Sequence, residues 1–203
     1  MALGTYAELQ TSLAAWMARS GDTVITGIAP DAIAMAEAHF NRKLRVADME
    51  ANATGSSTNG ILTLPSDFQA PRTVSIDSYG ELKLVTPDWA KANYPTGLGG
   101  IAQWYTLQGL TLTTYPAYTG DVSLDYYQSI PALTDSNTTN WLLTAHPDLY
   151  LAQALGQINA FTKNAEAAGL WFSQAAGIIE DLNKSDQSRR YSGAAVRVKG
   201  PTP

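Results

Sequence analysis

Asp121-Val122-Ser123-Leu124-Asp125-Tyr126-Tyr127 alternates apolar and polar side chains with a period of two. Successive side chains of an extended strand point to opposite faces, so Val122, Leu124 and Tyr126 share one face. The stretch reads as a strand with that face in a core. Working outward, the same period governs the chain from about Ala51 to Ile130, where Gly, Thr, Ser and Pro punctuate short apolar runs. Asn59-Gly60 is a turn signal before a short strand, Ile61–Leu64. Thr73–Ile76 and Leu82–Val85 flank Ser78-Tyr79-Gly80 as one hairpin, and Gln103–Leu107 and Leu110–Thr113 flank Gln108-Gly109 as another. Between them Thr86-Pro87-Asp88 starts a helical turn and Pro95 to Gly100 forms a Gly-rich loop. This middle region is expected to be a small, mainly antiparallel β module of about five or six strands.

On either side the period lengthens to that of a helix. Thr5 and Glu8 have the capping-box spacing, in which each side chain satisfies a backbone amide of the first turn. Behind them Tyr6, Leu9, Leu13 and Trp16 form one apolar stripe. Pro30 suits the first position of a second helix, whose stripe is Ile33, Ala36, Phe40 and Leu44. Arg42, Lys43 and Arg45 fall near its C-terminal end, where cations interact favourably with the helix dipole. After the β module, Pro147-Asp148 opens a helix with Leu151, Leu155, Ile158 and Phe161 on one side. A last helix, roughly Ala165 to Lys184, carries Ala168, Trp171, Ala175, Ile178 and Leu182. Gly156, Gly169 and Gly177 lie inside these helices at ~1 kcal/mol each relative to Ala, offset by close helix–helix approach or simply tolerated.

From Asp186 onward the periodicity vanishes. The final residues hold Arg189, Arg190, Arg197 and Lys199 and no acid after Asp186. The expected fold class is therefore α+β: a helical bundle from the N- and C-terminal helices (1–50 and 140–187), an inserted small antiparallel β module (51–139) and an extended basic tail (188–203). Deleting that tail is expected to leave the fold intact, because no apolar stripe is lost.

The chain has 203 residues, 45% hydrophobic and 15% charged, with net charge −5. A light surface charge with five Trp and ten Tyr fits burial between subunits. The acidic balance argues against a nucleic-acid binder. With no Cys, disulfides and thiolate metal sites are excluded. MALGTYAELQ has no basic n-region, so no export signal is expected, and no apolar run approaches the ~18–20 residues of a bilayer span.

Catalytic constellations are thin. His39 and His146 are the two histidines, and neither sits in a G-x-S-x-G elbow or an H-E-x-x-H motif. Glu180 and Asp181 are adjacent and point different ways around a helix. Gly97-Leu98-Gly99-Gly100 lacks the Lys-Ser/Thr of a phosphate loop. No cofactor or metal is expected. Of the strand aromatics Trp104-Tyr105 and Tyr126-Tyr127, one of each pair faces outward, for subunit contact or for stacking on sugars.

Four collinear segments carry a resemblance: the opening TYAELQTSLAAWMARSGDT…IAPDAIAMAEAHFNRKLRVADMEANAT, then LTLPSDFQAPRTVSID, then YYQSIPALTDSNTTNWLLTAHPDLYLAQAL, and a final helix with a short basic tail. Together they resemble bacteriophage head–tail connector subunits, the portal-docking adaptors. The resemblance implies a non-enzymatic neck protein of the virion, assembled in the host cytoplasm. It implies a ring, typically of twelve copies, on the portal protein, extending the DNA channel and offering a platform to the tail or next neck protein. Packaged DNA would pass without sequence-specific binding. The tail, through Arg189, Arg190, Tyr191, Arg197 and Lys199, would dock on the portal. The rival readings are a carbohydrate- or receptor-binding tail module using Trp104 and its neighbours, and a hydrolase of cell-wall sugars.

Overall fold

The computed structural model describes residues 3–95 and 100–191. In chain order its elements are α1 (Tyr6–Trp16), α2 (Thr23–Lys43), β1 (Glu50–Ser57), β2 (Ile61–Thr63), β3 (Phe68–Ile76), β4 (Gly80–Glu81), β5 (Lys83–Leu84), α3 (Pro87–Asn93), β6 (Trp104–Gln108), β7 (Thr111–Tyr115), β8 (Gly120–Gln128), α4 (Trp141–Ala145), α5 (Pro147–Phe161) and α6 (Ala165–Tyr191). They divide into two compact units, Met1–Asp48 with Ile130–Pro203, and Met49–Ser129.

The expected helical bundle with a small inserted β module is corrected by this architecture. The fold is α+β, with two four-stranded sheets and, among the described residues, six α-helices. One sheet has the order β1-β8-β3-β4 and the other β2-β7-β6-β5. The reasons are physical. β1, Glu-Ala-Asn-Ala-Thr-Gly-Ser-Ser, has no large apolar side chain, so its composition mimics a loop. The hairpin expected from Thr73–Ile76 and Leu82–Val85 is split. β3 pairs with β4 at Ser75↔Glu81, and the chain then crosses at buried Leu82 to the other sheet. There Lys83–Leu84 runs parallel to Trp104–Tyr105, so the sheets are not wholly antiparallel.

Elsewhere local chemistry explains the elements. Asn59 and Gly60 both have positive φ, 51° and 82°, and Thr58 and Ile61 exchange two backbone hydrogen bonds of 3.0 Å. That is the primed two-residue turn that favours Asn-Gly. Val122, Leu124 and Tyr126 face the core of the β unit with Val74, Ile76 and Leu112.

In the helical unit α2 starts earlier than expected. Asp22 caps it by accepting from the Val24 N–H at 2.9 Å, and Pro30 lies inside the helix. α5 is the centre of this unit, buried along most of Leu149–Asn159. Glu37 of α2 is buried there and accepts from the Leu133 N–H at 2.9 Å and the Tyr150 hydroxyl at 3.0 Å. Tyr150 also accepts from Asn140, whose Oδ1 caps α4 at the Leu143 N–H.

The three helical glycines separate into two kinds. A Cβ on Gly156 would sit 2.5 Å from two ring carbons of Phe172, whereas Gly169 and Gly177 face open space. Gly156 therefore makes room on α5 for the Phe172 ring of α6. Gly156→Ala is expected to lose about 1–2 kcal/mol by overpacking despite its better helix propensity. Gly177→Ala should gain a few tenths to ~1 kcal/mol, and paired thermal melts would read the opposite signs.

Candidate functional site

The candidate docking residues divide. Arg189, Arg190 and Tyr191 are the last turn of α6, and Arg197 and Lys199 lie outside the described residues. α6 continues to Tyr191, past Ser188, where the tail is expected to begin.

That extension is held by side chains reaching the chain as it leaves α2. The Asn183 amide donates to the Lys43 carbonyl and accepts from the Arg45 N–H, both at 3.2 Å, as a neighbouring strand would. One turn on, the Asp186 carboxylate accepts from the Ala47 N–H at 3.0 Å and pairs with the Arg190 Nε. The Asp186 side chain is 5% exposed, and Arg189 lies 3.6 Å from it while remaining 70% exposed. Burial alone would raise the Asp186 carboxyl; the Ala47 N–H, Arg190 and Arg189 outweigh it and hold the group below its ordinary value. Arg190 is thus a structural residue, and Arg189 is the cation presented outward. Arg45 closes the end of α2 by donating from Nη1 to the Asn41 and Leu44 carbonyls.

The sequence marked Asp186 as the last acid but not as the latch. The only local signal was its i, i+4 spacing from Arg190, which does not reveal Ala47 as a partner 139 residues away.

A hollow of about 190 Å³ beside this latch is lined by Val46, Asp48, Trp141, His146, Ser185 and Arg189, among others. It gathers a Ser, a His and acids, yet among the described residues no hydrogen bond joins His146 to Ser185, Asp48 or Asp186. The other histidine, His39, lies on α2, where burial and then Arg42 and Lys43 lower its pKa. Among the described residues no group of three or more His, Cys, Asp or Glu could hold a metal, and no helix is long and apolar enough to cross a membrane.

Most aromatic side chains of the β unit meet another ring of the same unit. The Trp104 indole donates to the Tyr94 hydroxyl at 3.0 Å, meets Trp89 edge-on at 5.0 Å and has Lys83 Nζ 5.4 Å from its ring centre. Tyr105 and Tyr126 point into the core, and Tyr126 donates to Asp67 at 3.1 Å. A sugar stacked on Trp104 would have to displace Trp89 or Lys83. Of the Gly97–Gly100 loop only Gly100 lies within the described residues.

The family model described as SU10 adaptor protein matches residues 4–199. The chain belongs to that family. Membership bears out the head–tail connector resemblance over nearly the whole chain. The adaptor is a phage virion component that joins other head or tail proteins, a structural task. No curated protein matches the adaptor's sequence.

Proposed function

We propose that the adaptor docks as a ring, typically of twelve copies, on the portal at the phage neck, where it extends the DNA channel and gives the tail or next neck protein a platform. The observation that carries this reading is the end of α6: a side-chain latch fixes Arg189 outward at the root of the basic C-terminal segment. A cationic segment anchored at one end suits an acidic groove on a large partner, because the latch removes part of the ordering entropy of docking. Arg189, Tyr191, Arg197 and Lys199 are the proposed portal contacts, and Arg190 serves by holding Asp186. The net charge of −5 suits DNA that must slide past, since phosphate retention needs cationic contacts.

The test mixes purified adaptor with its portal and images the product by negative stain. Rings on the portal are expected, and their absence with no measurable binding would sink the proposal. Removing residues 192–203 should leave the melting temperature unchanged, because α6 and its latch remain. The same truncation, or Arg189→Glu, should weaken portal binding at least tenfold. Unchanged affinity in both would refute the docking role of this end.

A further inference from the structure

β1 pairs with β8 on one side and has no strand on its other side among the described residues. It spans eight residues, whereas the other edge strands, β2, β4 and β5, span two or three. Its register runs without a bulge from Glu50↔Tyr127 to Ser57↔Gly120. Natural edges are usually guarded by Lys, Pro, a bulge or short length, and Glu-Ala-Asn-Ala-Thr-Gly-Ser-Ser has none of these. Among the described residues, Ala51–Ser57 takes part in no backbone hydrogen bond beyond its pairing with β8. Antiparallel geometry turns alternate N–H and C=O groups outward, so this edge offers a ready ladder over roughly 25 Å.

The two faces beside that ladder differ in chemistry. On the core side Ala51, Ala53 and Gly55 stand opposite Tyr126, Leu124 and Val122, a row of small groups at the rim of the core. On the outer side Asn52, Thr54 and Ser56 stand opposite Asp125, Ser123 and Asp121. Asn52 donates to Asp125 at 2.7 Å, and Ser56 donates to Asp121 at 2.6 Å. Glu50 is paired with Arg72, the one cation in β1, β3 and β8, which leaves two carboxylates in excess on this face.

We propose that β1 is a strand-acceptor edge that takes an extended segment of a neighbouring virion protein, with apolar residues alternating with Lys or Arg. The apolar set would continue the row of Ala51, Ala53 and Gly55. The cationic set would lie across β1 toward Asp121 and Asp125, about 10 Å away and within reach of Arg lying flat on Thr54. The same two carboxylates oppose a nucleic-acid strand. Only the source of the segment rests on the adaptor reading; the binding itself needs neither ring nor portal.

The test uses the full chain alone and hydrogen–deuterium exchange, with the synthetic peptide VRVRVRV as probe and VEVEVEV as control. Exchange at Ala51–Ser57 is expected to slow at least tenfold with the first peptide and not with the second. In an Asp121→Asn, Asp125→Asn double variant whose melting temperature is retained, that protection should fall severalfold. No protection, equal protection by both peptides, or protection confined to other strands would overturn the proposal, as would slow exchange of the free chain caused by self-association through β1. Portal rings without peptide protection would defeat this proposal and leave the adaptor reading standing; protection without rings would do the reverse.

Discussion

Replacing Tyr150 by alanine is expected to cost about 3–5 kcal/mol of folding stability, the range for removing a fully buried aromatic. Tyr150 has no exposed surface, and its ring meets Phe40 edge-on at 5.1 Å. Its hydroxyl donates to Glu37 and accepts from Asn140, so the loss combines a cavity with unsatisfied buried polar groups. At about 2–4 °C per kcal/mol for a chain of this size, the melting temperature should fall by roughly 6–20 °C. Tyr150→Phe isolates the hydroxyl and should cost about 1–2 kcal/mol. Equal losses for the two variants would show that packing against Phe40 contributes nothing.

The same network sets a pH dependence. Burial pushes the Glu37 carboxyl above its ordinary value of 4.5, against the hydrogen bonds from Leu133 and Tyr150. The folded state therefore holds this proton at pH values where the unfolded chain has released it. Stability from this group is present below 4.5 and is lost as pH rises through the higher folded value. Glu37→Gln keeps an acceptor for both donors and should flatten that slope in urea titrations run across the window.

Asp186→Ala is the second large effect, expected at about 2–3 kcal/mol. It strips the Ala47 N–H and the mostly buried Arg190 of their acceptor and frees the end of α6. The sign with pH is opposite to that of Glu37. The folded pKa of Asp186 lies below its ordinary 3.8, so its contribution is present above that value and is lost as pH falls through the lower folded one. Exchange of the amides in Ser185–Arg190 should rise in the variant before the rest of α5 and α6 changes. Retained protection there would show that the latch does not hold the helix end.

Some of this molecule was legible in the chain because the cause lies within a few residues. Thr5 and Glu8 form their capping box, with the Glu8 N–H donating to Thr5 Oγ1 at 3.3 Å and the Thr5 N–H to Glu8 Oε2 at 3.0 Å. Asn59-Gly60 makes its turn, and the alternation at Asp121–Tyr127 becomes the centre of β8. A cap, a turn and a facial period are each decided by local sterics and local burial.

Other features have no such local cause. β1 is a strand because β8 gives it a partner, not because Glu50–Ser57 favours one. Lys83–Leu84 joins the second sheet because Leu82 is drawn into the core between them. Glu37 meets Tyr150 across 113 residues, and Asp186 meets Ala47 across 139. By itself the sequence determined the helix caps, the β8 face, the Asn-Gly turn and the adaptor resemblance. The tertiary structure alone decided the two sheets, the β1 edge that carries no further strand among the described residues, and the latch that makes Arg190 structural while Arg189 stays mostly exposed. The division follows range: a period or a cap is written in neighbours, whereas a buried polar pair or a sheet edge exists only once distant segments have met.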